Sequence, residues 1–292
     1  DKEVNMMEAG TVFENKEKKP VILPRFDSGL LPVRRGDVHL SYFTGDWAAE
    51  TYLHEMPLQG GVFCISNYDG VRNSHTSHSE VMLSLDGKAQ ENSGRVIGAA
   101  LCYSGNYEIR VETPAGKNHR VFAGIAPDNS FYILEPKELF VTPVLAFTYS
   151  DEGLGGASRS FHRWARKYRL AHGDRERKIL LNSWEGVYFD INEQGMDQMM
   201  GDIASMGGEL FVMDDGWFGE KYPRLTDNCA LGDWKVDRNK LPGGVSALVR
   251  MADRHGISFG IWIEPEMTNS VSELYEKHPD WIIKAPGRDP VM

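Results

Sequence analysis

Two aspartates stand side by side in the stretch ELFVMDDGWFG, residues 209–219. The apolar run before them reads as a buried strand, so Asp214 and Asp215 fall where it ends and Gly216 permits a turn. Neighbouring side chains on a strand point to opposite faces, and consecutive carboxylates share one target only at such a turn. Two other apolar runs end in similar chemistry. One finishes Asn182-Ser183-Trp184-Glu185, the other Trp262-Ile263-Glu264-Pro265-Glu266. Carboxylates accept hydrogen bonds from hydroxyls, and indole faces cover the apolar C–H face of a pyranose. Acids and tryptophans at three successive strand ends therefore suit a sugar.

Gripping and bond-breaking are separate tasks. A retaining glycosidase sets two carboxyl groups about 5–5.5 Å apart on either side of the scissile bond. Adjacent residues have Cα atoms about 3.8 Å apart, which allows that separation. Both would approach from one strand tip, however, which makes straddling an anomeric carbon awkward. Asp214 and Asp215 are therefore assigned to two hydroxyls of one sugar. The competing reading makes Asp215 a loop cap and Asp214 the partner of a basic neighbour. Core packing competes for Trp184 and Trp262 taken singly, and structural ion pairs compete for Glu264 and Glu266. Weaker constellations add little. His75 and His78 lie three apart on a β or loop segment, where a metal site is not expected, and no G-x-S-x-G elbow occurs. Gly153-Leu154-Gly155-Gly156 follows no βα turn of the dinucleotide-binding type.

The elements that carry these ends alternate in type. From Lys178 onward, ILLNSWE, ELFVMDD and ISFGIWIEPE read as strands. MDQMMGDIASM, GGVSALVRMADRHG (ending at Gly256) and VSELYEKH read as the helices between and after them, and WIIKA begins a further extended run. Continuous apolar strands joined by helices imply a parallel sheet covered on both faces. In an α/β barrel the carboxyl ends of such strands form the active-site face. Three full βα units and a stub fit into residues 178–292, whereas a closed (β/α)₈ barrel needs about 250 residues. A partial TIM barrel is expected.

Residues 1–152 follow a different pattern, of short alternating runs such as GVFCISN, EVMLSLDG, YEIRVET and HRVFAGI separated by Gly, Asn, Asp and Pro. They imply an antiparallel β-sandwich whose inward residues include Phe63, Ile65, Val81, Leu83, Val96, Ile109 and Val111. Between the halves, residues 153–177 read as a connecting helix with Ser158 as its cap and Phe161, Trp164 and Tyr168 along one face.

Bulk composition narrows the classes. The 292 residues are 41% hydrophobic and 25% charged, ordinary for a globular protein. A net charge of −10, from 32 basic and 42 acidic residues, argues against nucleic acid, which needs clustered Lys and Arg. The longest apolar runs fall short of the roughly 20 residues of a membrane span. Cys64, Cys102 and Cys229 form no CxxC pair, so neither a zinc site nor a disulfide framework is expected, and the compartment stays open.

NSWEGVYFDIN, ELFVMDDGWFG, LGDW, GISFGIWIEPEM and LYEKHPDW, in this order, closely resemble family 36 glycoside hydrolases, the bacterial α-galactosidases. GDWAAETY, CYSGNYEIRVE and YSDEGLGGASRSFHRW look like the later part of that family's N-terminal β-supersandwich, so the likeness runs from about Gly45 to Met292. The stretch NSHTSHSEVML departs from the SHQ-x-NPF pattern of many relatives.

The resemblance implies a supersandwich followed by a (β/α)₈ barrel. It implies retaining, metal-free hydrolysis of terminal α-1,6-linked galactose from melibiose and raffinose-type oligosaccharides, by a homo-oligomer. The family's galactose-binding aspartates match Asp214 and Asp215, and the tryptophans lining its pocket match Trp184 and Trp262. Its nucleophile, in a Lys-x-Asp strand end, and its acid/base have no match here and are expected beyond Met292. The expectation is an internal fragment, inactive by itself, that needs no cofactor. A non-catalytic galactose-binding or structural module is the alternative from another class, separable by galactose calorimetry with a light-scattering mass. A galactosyltransferase or α-N-acetylgalactosaminidase is the alternative within the family.

Overall fold

The computed structural model describes residues 1–292 except 71, 72, 129, 285 and 290–292. The chain divides into two compact units, Asp1–Arg175 and Glu176–Met292.

In chain order the strands of the first unit are β1 (Met7–Ala9), β2 (Val12–Glu14), β3 (Val21–Leu23), β4 (Gly29–Val33) and β5 (His39–Asp46). They continue as β6 (Ala49–Pro57), β7 (Gly61–Asn67), β8 (Ser77–Leu85), β9 (Arg95–Cys102) and β10 (Tyr107–Thr113). The last are β11 (His119–Ile125), β12 (Tyr132–Leu134), β13 (Leu139–Val141) and β14 (Val144–Ser150). Among the described residues a six-stranded antiparallel sheet has the order β1-β14-β9-β8-β5-β6, and a four-stranded one the order β4-β11-β10-β7. Two short pairs, β3 with β12 and β2 with β13, complete the unit.

The two sheets face each other. Leu40, Val81, Leu83, Ala99, Leu101 and Leu145 of the large sheet share one core with Ile65, Ile109, Val111 and Val121 of the small one. Strand β10 shows why: Tyr107, Ile109 and Val111 alternate inward, while Glu108, Arg110 and Glu112 form an ion-pair ladder outside. Phe63 packs against this core as expected. Val96 does not. It faces the opposite side of the large sheet, where Ala89 and Ala157 bury it, because neighbouring Ile97 takes the inward position.

That outer side is covered by helix α1 (Gly153–Tyr168). Trp164 is buried against Val4, Met6 and Ala146, and Phe161 packs beside it, whereas Tyr168 is exposed. The helix starts five residues before Ser158, with Glu152 at the cap position, so Ser158 lies inside it rather than capping it. Several strands lacked a readable sequence signal. The strands β1 to β4 are short, and β6 exposes most of its residues on the sheet edge, so neither shows clean alternation.

In the second unit, β15 (Leu180–Asn182), β16 (Leu210–Met213) and β17 (Ser258–Ile261) pair in parallel and in sequence order. Helix α2 (Trp184–Val187) is a single turn, α3 (Glu193–Ser205) joins β15 to β16, and α4 (Gly244–His255) precedes β17. Helix α3 buries Met196, Met200 and Ile203, spaced four and three apart, and α4 buries Ala247, Leu248 and Ala252. Both pack into one core with Phe211 and Met213 of the central strand. The α3 N-cap is Asn192, whose side chain accepts from Gly195 N, and α4 stops at Gly256 in the left-handed conformation. Helix α5 (Glu273–Lys277) is capped by Ser272. The WIIKA run expected next as a strand begins instead in a 3₁₀ turn, Pro279–Trp281, and Ala285 lies outside the described residues.

Candidate active site at the strand tips

The carboxyl ends of β15, β16 and β17 stand in adjacent register, Asn182 opposite Val212 and Met213 opposite Ile261. Asp214 occupies the middle tip. Its backbone N–H donates to the buried Ser183 Oγ at 3.0 Å, which ties it to the β15 tip. Asn182 Nδ2 donates to Asp214 Oδ2 at 2.6 Å, and Asp215 N donates to Oδ1 at 2.7 Å. A carboxylate offers about four acceptor sites. Among the described residues two of them are used, which leaves two on this half-buried side chain.

Trp184 follows Ser183 directly and opens α2, so it stands just past the strand end, its indole edge-on to Tyr188 and Phe189. On the other flank, Trp262 N donates to Met213 O at 2.9 Å. Its ring stacks on Phe218 and meets Trp234 edge-on. The fold thus brings the predicted residues onto three neighbouring tips, with Asp214 between the two tryptophan-bearing ones.

Asp215 sits differently. It is 5% exposed and faces Arg224, itself 2% exposed. Arg224 Nε donates to Asp215 Oδ1 at 2.9 Å and Nη2 donates to Oδ2 at 2.7 Å, a two-pronged pair. The guanidinium lies between the rings of Phe189 and Phe218, 5.3 and 5.9 Å from their centroids. Its Nη1 donates to Cys229 O and to Asn269 Oδ1. A partner of this kind is required, because burying an unpaired carboxylate is prohibitive. The competing expectation gave the basic neighbour to Asp214; it belongs to Asp215.

Lys240 fastens the same region. Its Nζ donates to the carbonyls of Phe189, Gly216 and Arg224 at 2.7, 2.8 and 3.0 Å. One ammonium thereby joins the segments after β15 and β16 to the loop carrying Arg224. Burial pulls its pKa below the ordinary lysine value, with Asp237, Asp190 and Asp215 pulling back upward. Sequence reading missed Arg224 and Lys240. Their only signal was the need of a buried carboxylate for a cation, which does not say which cation comes.

Between Met213 and Gly244 the chain has no regular helix or strand. Loops of such length inside a compact unit usually carry function. This one is pinned by a bridge between Phe218 and Val236 and by the Trp217, Phe218, Trp234 and Trp262 ring cluster. Gly216 starts it with φ +105°, and a Cβ there would stand 2.9 Å from Phe189 Cα. Gly216→Ala is therefore expected to cost about 1–3 kcal/mol and to weaken sugar binding, checked by thermal unfolding beside a galactose titration. Glu264 is half-buried, Glu266 is exposed, and Asp233 serves the fold by accepting the Glu273 and Leu274 amides at the start of α5. Among the described residues no group of three or more His, Cys, Asp or Glu is placed to hold a metal ion.

Residues 139–292 match the melibiase family, and residues 1–135 match the glycosyl hydrolase family 36 N-terminal domain. The chain belongs to glycoside hydrolase family 36. The match to its N-terminal domain starts at residue 1, upstream of Gly45, and takes in the short strands β1 to β4. α-Galactosidase AgaA of Geobacillus stearothermophilus is 39% identical over 287 residues, covering 97% of this chain and 38% of the relative. Crystal structures of AgaA variants in complex with stachyose and with raffinose superpose with TM-scores of 0.92 at 38% identity, over 98% of this chain and 39% of theirs. The chain thus spans about two fifths of the length of these family 36 relatives. It has the family's architecture of an N-terminal β-sandwich and the beginning of the catalytic barrel.

Proposed function

We propose that this protein is a retaining α-galactosidase that removes terminal α-1,6-linked galactose from melibiose and raffinose-type oligosaccharides. One observation carries the reading: a half-buried Asp214 with acceptor capacity to spare, held rigidly between the tips that bear Trp184 and Trp262. Asp214 accepts two ring hydroxyls, and Asp215 adds what its pairing with Arg224 leaves free. Trp184 and Trp262 supply the apolar walls. The complexes of AgaA variants with raffinose and stachyose support this substrate class.

The chemistry is a double displacement. One carboxylate attacks the anomeric carbon while a carboxylic acid protonates the departing glycosidic oxygen. Water then releases galactose from the covalent intermediate with its original configuration. Asp214 and Asp215 take neither bond-breaking role, since they approach from one tip and Asp215 is occupied by Arg224. A homo-oligomer, dimer or tetramer, belongs to the same proposal. The test is proton NMR of raffinose cleavage by the full-length protein. The α-anomer of galactose is expected first; β-anomer first, or no cleavage, overturns the reading.

A further inference from the structure

One side chain at the β15 tip reaches two of the candidate sugar contacts. Asn182 Nδ2 donates to Asp214 Oδ2 at 2.6 Å, and Asn182 Oδ1 accepts from the Trp184 backbone N–H at 2.7 Å. Only one setting of the amide serves both bonds. Flipped, it would turn its oxygen on a carboxylate and its NH₂ on another N–H, like against like. Asp215 N reaches Asp214 Oδ1 at 2.7 Å, so each carboxylate oxygen takes one bond here and has one acceptor position left.

The two donors differ in what they anchor. Asp215 N belongs to the turn that carries Asp214 and moves with it, whereas Asn182 ties the carboxylate to a neighbouring strand. Register makes this reach natural: Asn182 pairs with Val212, and alternation puts Val212 and Asp214 on one side of β16. The cation of the region, Arg224, is taken up by Asp215. Among the described residues, neutral donors therefore orient the Asp214 carboxylate. The same amide holds Trp184 at the first residue of α2. We propose that Asn182 is a positioning residue, whose amide sets the Asp214 carboxylate for sugar hydroxyls and couples it to the Trp184 wall. The role presupposes that the strand tips bind the sugar.

Asn182→Asp separates positioning from mere structure. It keeps the shape and the acceptor for Trp184 N, but sets a second carboxylate against Asp214. Two carboxylates this close repel, which pushes one pKa of the pair upward. A proton shared between them rebuilds the lost bond.

The test is galactose calorimetry on the full-length protein, with Asp214→Asn as the reference for the strand-tip reading. Asn182→Ala is expected to weaken binding about fivefold, the scale of one hydrogen bond, with the melting temperature unchanged because Asn182 is exposed. Asn182→Asp is expected to bind at least as weakly near neutral pH, and to regain affinity relative to the parent protein as the pH falls to about 5. Weakening by Asp214→Asn but not by Asn182→Ala overturns the positioning role. A constant ratio between Asn182→Asp and the parent protein over that pH range overturns it too. Unchanged affinity in Asp214→Asn sinks the strand-tip reading itself, and the positioning role falls with it.

Discussion

Arg224→Ala is expected to destabilise the second unit by about 3–5 kcal/mol, the cost of removing one partner of a buried ion pair. The change leaves the Asp215 carboxylate without a counter-charge in a site with almost no solvent access. It also empties the space between Phe189 and Phe218 and takes a donor from Cys229 O and Asn269 Oδ1. Arg224→Lys recovers the charge but not the planar fork, so it is expected to recover only part of the loss. Urea unfolding followed by tryptophan fluorescence measures both. A loss below about 1 kcal/mol for the alanine variant would mean that the pair does not hold Asp215 in solution. Replacing both partners by apolar residues is expected to cost less than Arg224→Ala alone, because no charge is then left buried.

Asp214→Asn is expected to lower galactose affinity by about 10- to 150-fold, the range for losing a hydrogen bond to a charged acceptor worth about 1.5–3 kcal/mol. Asparagine keeps the size but turns one acceptor oxygen into a donor. That donor must face either the Asn182 amide or the Asp215 backbone N–H, and it no longer accepts from a sugar hydroxyl. Stability is expected to change little, since the side chain is half-buried and carries no ion pair among the described residues. Calorimetry with galactose and kcat/KM of the full-length protein on an α-galactoside provide the measurements. Unchanged affinity in Asp214→Asn would remove the sugar-gripping role from the strand tip. The contrast between the two variants is informative: Arg224 acts through stability, Asp214 through the ligand.

Arg224 and Asp214 also mark how far reading the chain could go. Alternation of apolar strands with helices announced the parallel half, because covering a sheet on both faces demands apolar runs in strict order. Gly256 announced where α4 stops, whereas α3 starts at its Asn192 cap, upstream of the apolar run MDQMMGDIASM from which it was read. The four candidate site residues followed from strand ends, since that is where a βα architecture puts chemistry. Ser158 misled because a serine looks like a cap wherever it stands near glycines, whereas the helix was decided by packing of Phe161 and Trp164 on the sheet. Val96 misled because β9 is buried on both faces, and alternation alone does not tell which face meets which layer.

By itself the sequence determined the alternation of strands and helices from β15 to α5, the family, and the positions where acids and tryptophans gather, because these follow from local periodicity and from motifs carried within single strands. Only the tertiary structure decided that Asp215 is claimed by Arg224 while Asp214 keeps free acceptor sites, and that Lys240 ties the long loop after β16 to the Phe189 segment after β15. The physical reason is the same each time. A buried polar group must be matched by another, and which residue arrives to match it is settled by long-range packing that no local pattern encodes.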